Sequence, residues 1–248
     1  MGRPDQPGRT ATTVLSALGW GALAALSLVA GAALALARSW RTGVLGAVLA
    51  FGAGALISSV AFELAQEGLR LGGPWWVAGG LGVGALAFFL ADRLVDKIGG
   101  RGGGGAAGLP LALGALLDGI PEQAVLGIGL ATGGGVSVAL LVAIFVSNLP
   151  EAIGSASDMR RAGKSVRLVV GLWLAVAVLC ALSTLGGFAV ANAVGGGPKA
   201  TIDGFAAGAL LVMLVDSMIP EAKSKAGNRA GLVTVLGFAV AAALSNLT

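Results

Sequence analysis

Charged residues in this chain fall in short clusters, and the stretches between the clusters are almost wholly apolar. A helix needs about 20 such residues to cross a hydrocarbon core of about 30 Å. The runs Thr10 to Ala37, Thr42 to Phe62, Leu71 to Ala91 and Leu168 to Pro198 each suffice for one crossing, and Ala230 to Thr248 gives another. Between Gly102 and Ser157 the only charges are Asp118, Glu122 and Glu151, and Thr132-Gly-Gly-Gly135 divides that stretch into two helices. Gly204 to Ile219, interrupted by Asp216, supplies the last. The pattern predicts an all-α polytopic membrane protein: one transmembrane domain over residues 1–248 with eight helices near 13–37, 43–65, 72–92, 107–132, 136–158, 167–193, 201–221 and 229–247. A flexible Gly-rich loop is expected at 99–107. The first apolar run is much longer than the roughly 7 to 15 residues of a signal-peptide core, so it is read as a retained helix.

Composition agrees with this pattern. Of 248 residues 56% are hydrophobic and 11% charged, where a soluble domain carries about 25% charged residues to meet water. The net charge of +4 and pI of 9.8 would suit nucleic acid in a soluble chain. Here the basic residues lie between membrane helices, so no nucleic-acid partner is expected and the lipid bilayer takes its place. With the N-terminus outside, Arg38, Arg41, Arg93, Lys97, Arg101, Arg160, Arg161, Lys164, Arg167, Lys223, Lys225 and Arg229 face inward. Only Arg3, Arg9, Arg70 and Lys199 face outward, so 12 basic residues against 4 place both termini outside a cell membrane. Histidine and tyrosine are absent and Cys180 is the lone cysteine, which removes the usual nucleophile pairs and any intrachain disulfide. No enzymatic activity and no resident cofactor are expected.

The chain echoes itself with reversed direction. Phe51-Gly-Ala-Gly-Ala-Leu56 resembles Phe205-Ala-Ala-Gly-Ala-Leu210, and at the same offset Glu67 falls on Glu221. Asp118-Gly-Ile-Pro-Glu122 likewise resembles Ser147-Asn-Leu-Pro-Glu151 on the next helix. Each pair lies on oppositely directed helices, predicting a 3+2+3 inverted repeat of the kind that recurs in secondary transporters.

An ionised side chain at the middle of a membrane helix costs about 2.5 to 3.5 kcal/mol on insertion scales, so Asp118, Glu122 and Glu151 need a reason to be there. Asp118 and Glu122 are four apart and share a helical face, as do Ser147 and Glu151. Pro121 and Pro150 crowd the carbonyls of Leu117 and Val146, freeing them to face a cavity. No Lys or Arg lies in either helix core, so an outside cation is the expected partner. Carboxylates, a hydroxyl, an amide and carbonyls are hard oxygen ligands suited to Mg, Ca or Mn, with zinc also accepting carboxylate.

At these motifs the chain resembles the ZIP family of divalent-metal transporters, the zinc/iron permeases. That family has eight helices with both termini outside and Pro-Glu metal-binding motifs on its fourth and fifth helices. The resemblance runs the whole chain, including Phe205 to Glu221 with its Ile-Pro-Glu ending. It implies that Glu122 and Glu151 bind metal, with Asp118, Ser147 and Asn148 at further ligand positions. Gly119 replaces the family's asparagine, the sixth helix lacks a carboxylate, and the third loop is glycine-rich without histidine. A single-metal site is therefore expected in place of a binuclear one.

The resulting expectation is alternating-access transport of a divalent metal ion, Zn, Mn or Fe, as substrate. Glu63 and Glu67 would form an outer collecting pair and Asp216 and Glu221 an inner release pair. A homodimer stays an open option. The alternatives are a proton-coupled carrier of an organic cation and a ZIP-like relative that no longer transports. An intramembrane aspartyl protease is disfavoured by the single aspartate in the central motifs.

Overall fold

The computed structural model describes residues 7–97, 109–131 and 136–245, and every regular element in them is helical. The elements are α1 (Pro7–Ala37), α2 (Thr42–Ser59), a π-helical stretch (Val60–Ala65), α3 (Gln66–Gly72), α4 (Pro74–Lys97), α5 (Leu109–Ala131), α6 (Val138–Arg161) and α7 (Val166–Asn192). Then follow α8 (Gly196–Met213), a second π-helical stretch (Leu214–Met218), α9 (Ile219–Ala226), a 3-10 turn (Gly227–Arg229) and α10 (Ala230–Ser245). Both the glycine-rich loop at 99–107 and the Thr132 to Gly135 break expected from sequence lie outside the described residues.

Among the described residues, seven helical segments are long and apolar enough to cross a membrane: Val14–Ala37, Thr42–Gly72, Pro74–Val95, Leu113–Ala131, Val138–Arg161, Val166–Asn192 and Gly196–Ser245. The protein is a multi-pass helical membrane protein. Helix is the solution open to such segments, because each backbone N–H and C=O must find its partner inside the segment when lipid offers none. Where α6 and α7 begin, Ser137 and Ser165 accept from the N–H groups of Leu140 and Leu168, at 3.1 and 3.2 Å.

The expected helix at 43–65 runs on through the π-helical stretch to Gly72, with Arg70 pairing Glu67 in its last turns. The last segment, Gly196–Ser245, contains two of the expected helices. Gly227, at φ 63°, ends α9 in a conformation that favours glycine, and the chain turns back there. Neighbours on either side of the turn define the reversal. Gly68 lies against Asp203 and Gly46 against Lys225, so α8–α9 run opposite to α2–α3. Ser245 bonds Glu63 while Arg229 and Arg41 line one cavity, so α10 runs along α2 in the same direction.

Small residues let parallel neighbours touch backbone to backbone. Gly54 of α2 faces the Thr234 carbonyl of α10, and Gly237 returns the contact to the Phe51 carbonyl. Gly80 and Gly84 of α4 meet Thr201 and Phe205 of α8 in the same reciprocal way, as do Gly127 and Gly187 across α5 and α7. One apolar cluster, with Leu49, Leu56, Ile144, Leu210 and Met213, fills the space among α2, α6 and α8. A second, around the fully buried Trp173, joins α1, α6 and α7. Between these two clusters lie the motif faces of α5 and α6.

Candidate cation site

Glu122 is 1% exposed, and Ser147 of the second motif is its hydrogen-bond donor. Ser147 Oγ stands 3.2 Å from both Glu122 carboxylate oxygens and 3.0 Å from the Ile144 carbonyl, so three acceptors share one hydroxyl proton. What lets α2 approach α6 at this point is Gly52: a Cβ there would come within 2.9 Å of Ser147 Cα and N. Asn148, the next residue, is fully buried and interacts with the Glu122 carboxylate, yet neither of its amide atoms reaches hydrogen-bond geometry with a described residue. Pro121 and Pro150 sit inside continuous helices α5 and α6, so they do not end either one.

Asp118 and Glu151 face a different space. They line a cavity of about 280 Å³ with Gly114, Ala115, Gly154, Ser155, Asp158, Asp216, Ser217, Glu221 and Lys225. Ser217, in the second π-helical stretch, donates to Asp118 Oδ2 at 2.9 Å, tying that stretch to α5. Glu221 pairs with Lys225 one turn further along α9. Asp158 stands at the exposed side and pairs with Arg161 at 2.8 Å. The acids expected as a separate inner pair, Asp216 and Glu221, thus share one cavity with two of the central acids.

At the opposite end, Glu63 and Glu67 line a second cavity of about 510 Å³ with Phe62, Gln66, Arg70 and Ser245. Glu63 accepts from Ser137 Oγ at 2.6 Å and from Ser245 Oγ at 3.2 Å, which links the α2–α3 junction to the start of α6 and the end of α10. Glu67 is engaged by Arg70 at 2.8 Å, and the buried Asp203 and Lys199 of α8 lie within electrostatic reach.

The site residues expected from sequence therefore separate into three groups. Glu122, Ser147 and Asn148 form a buried polar core; Asp118, Glu151, Asp216 and Glu221 line the nearer cavity; Glu63 and Glu67 line the far one. Among the described residues, no three His, Cys, Asp or Glu side chains are grouped so as to hold a metal ion between them.

Several participants carry no motif signal. Asp158 and Lys225 reach the nearer cavity from the ends of α6 and α9. Lys225 brings an ammonium to the cavity from α9, where it pairs with Glu221; the cores of α5 and α6 themselves carry no Lys or Arg, as expected. Cys180 of α7 packs against Gly119 and is close enough to interact electrostatically with Glu122 and Glu151. Thr184, one turn along, donates to Gln123 Oε1 at 2.7 Å. The sixth expected helix thus gives the site a thiol and a hydroxyl in place of a carboxylate.

A cavity with five carboxylates, one ammonium and two serine hydroxyls repels anions and attracts cations. Protein-family models and curated proteins contain no match to this chain.

Proposed function

We propose that this protein is a transporter that moves a divalent metal ion, as substrate, across a cell membrane by alternating access. The observation that carries this reading is the cavity in which Asp118, Glu151, Asp158, Asp216 and Glu221 converge from three parts of the chain, directly beside the buried Glu122–Ser147 pair. Carboxylates in a lipid-embedded bundle are costly, and a travelling cation is a partner that offsets part of the negative charge gathered here. The resemblance of Asp118-Gly-Ile-Pro-Glu122 and Ser147-Asn-Leu-Pro-Glu151 to the ZIP family's paired motifs supports the same ion class.

The bundle is an eight-crossing one with both termini outside, the last segment crossing twice by turning back at Gly227. Support comes from the opposed directions of α8–α9 and α10. Support for the inverted repeat comes from the two π-helical stretches, which fall at the same offset that aligns Phe51 with Phe205 and Glu67 with Glu221. π-helical turns accumulate at functional positions. In this reading the nearer cavity, at the end rich in Lys and Arg, is the inner release path. Closure would carry Asp118 and Glu151 toward Glu122 and Asn148, completing an ion's shell that stands apart while the cavity is open.

The test is uptake of Mn²⁺, Zn²⁺ and Fe²⁺ into liposomes containing the purified protein. Glu122→Ala and Glu151→Ala each abolish uptake. Unchanged uptake in both variants removes the site from the mechanism. One observation favours a second reading, a proton-coupled carrier of an organic cation: the cavity of about 280 Å³ is far larger than a bare ion. Proton-driven uptake that ignores every divalent ion would establish that reading in its place.

A further inference from the structure

Five acids and one lysine line the cavity, and the position of that lysine has a consequence for how the cavity handles its substrate. Lys225 lies one helical turn beyond Glu221 and pairs with it. Its ammonium also reaches across to α6: a Cβ built on Gly154 would lie 3.1 Å from Lys225 Nζ. Gly154 stands between Glu151 and Asp158 on the cavity wall, so the absent side chain leaves the seat in which the ammonium rests. On the other side, Gly46 of α2 packs directly on the Lys225 Cβ and the Ala226 nitrogen, fixing where the stem begins. The side chain is 23% exposed, short of the free extension of a surface lysine. A lysine held only as a helix-surface partner of Glu221 does not need the seat at Gly154.

We propose that Lys225 is a tethered cation that occupies the carboxylate cavity when no substrate ion is present and is displaced when one enters. This rests on the transport reading and adds to it a residue that sets affinity and release. Arg161 engages Asp158 at the exposed side, and among the remaining carboxylates the Lys225 ammonium relieves part of the mutual repulsion when no ion is bound. When a divalent ion arrives, the same ammonium becomes a like charge nearby. It must swing toward the exposed side with Glu221, and its presence weakens the ion's hold. When the ion leaves, the lysine returns, so the empty cavity never carries its full negative charge. The four-carbon stem with a compact terminal charge suits this exchange. Proton movement is not required, since one cation replaces another.

The experiment is Mn²⁺ binding to the purified protein, read from the free-ion electron paramagnetic resonance signal, with Mn²⁺ uptake into liposomes measured in parallel. Lys225→Gln removes the charge, Lys225→Met removes it while keeping an apolar stem, and Lys225→Arg keeps it. The two neutral variants bind Mn²⁺ about tenfold more tightly and turn over more slowly, because release loses its internal competitor. Lys225→Arg stays within about twofold of the unaltered protein in affinity. An unchanged Mn²⁺ affinity in both neutral variants overturns the tethered-cation role, and if the unaltered protein still takes up Mn²⁺ the transport reading stands without it. Weaker binding in the neutral variants assigns Lys225 to holding the cavity together and also overturns the proposal. No binding and no uptake by any form fells both readings.

Discussion

Ser147, which donates to the buried carboxylate, is packed against a residue with no side chain, and this makes Gly52→Ala the sharpest perturbation of the site. A Cβ at position 52 would stand 2.9 Å from Ser147 Cα and N and 3.0 Å from Ser147 Cβ. Carbon atoms rest about 3.5 to 4.0 Å apart at their contact minimum, so α2 and α6 must part by about 0.6 Å. The obstacle is helix backbone, which cannot rotate aside as a side-chain tip can. Overpacking of this kind costs about 1 to 3 kcal/mol, against a gain of about 0.5 to 1 kcal/mol from replacing a mid-helix glycine. The net effect on folding is modest. The effect on the site is larger, because Ser147 already sits 3.2 Å from Glu122, beyond the usual range of about 2.5 to 3.0 Å for O–H···O. A misplacement near 1 Å in a reacting constellation can cost about a hundredfold in rate, so Gly52→Ala is expected to reduce Mn²⁺ uptake into liposomes at least tenfold while remaining folded in the membrane. Gly79→Ala is the control, since a Cβ there meets nothing within 4 Å; it keeps full uptake and unfolds at no lower a temperature. Uptake by Gly52→Ala equal to that of the unaltered protein would refute the placement of Ser147 at the site.

Thr184→Val removes the hydroxyl that Gln123 Oε1 accepts from; in a membrane bundle such bonds average about 0.6 kcal/mol and reach about 1.7. Because the Gln123 amide nitrogen already lacks a partner among the described residues, the loss is expected toward the upper end, measured as reduced unfolding free energy in mixed micelles. Ser137→Ala costs more stability than Ser245→Ala, because Ser137 both bonds Glu63 and caps α6, and a cap alone is worth about 1 kcal/mol. Equal losses would show the cap to be idle. Tags appended to the two ends, probed with an impermeant reagent on intact cells, should be labelled together from outside; labelling of only one would reduce the crossings from eight to an odd number.

How far the sequence discloses this molecule depends on whether a signal is carried within one helix or between several. Apolar runs are local, so the membrane class and nearly every helix can be read directly from charge spacing. The Glu122–Ser147 contact is the meeting of two motifs that repeat one spacing, and the repeat itself points to it. The cavity is different. Asp158, Ser217 and Lys225 enter it from helix ends or from a π-helical stretch, where a single altered turn changes the direction a side chain takes and 3.6-residue periodicity no longer indicates the face. Asp158 pairs with Arg161, as any exposed helix-end acid would, and nothing in its neighbourhood along the chain distinguishes it. Glycines mislead in the opposite way. In sequence Gly52 and Gly154 read as generic small residues of lipid-embedded helices, whereas in the fold one admits α2 to Ser147 and the other seats an ammonium.

The two ends of the bundle hold their acids by different means, and this difference bears on which end opens. Glu63 is held by hydroxyls from two other elements, Ser137 and Ser245, so parting those elements would break both hydrogen bonds. The far junction is therefore closed by bonds that cross between elements. At the nearer cavity the pairs Glu221–Lys225 and Asp158–Arg161 each lie within a single helix, while Ser217 donates to Asp118 between elements. Helices there can separate while these two ion pairs stay intact. A bundle built this way opens more cheaply at the Lys- and Arg-rich end than at the Glu63 end. In the proposed alternating access, opening at the Glu63 end requires a trigger that offsets the loss of the Glu63 bonds, and a cation arriving at Glu63 and Glu67 would have the charge to supply it.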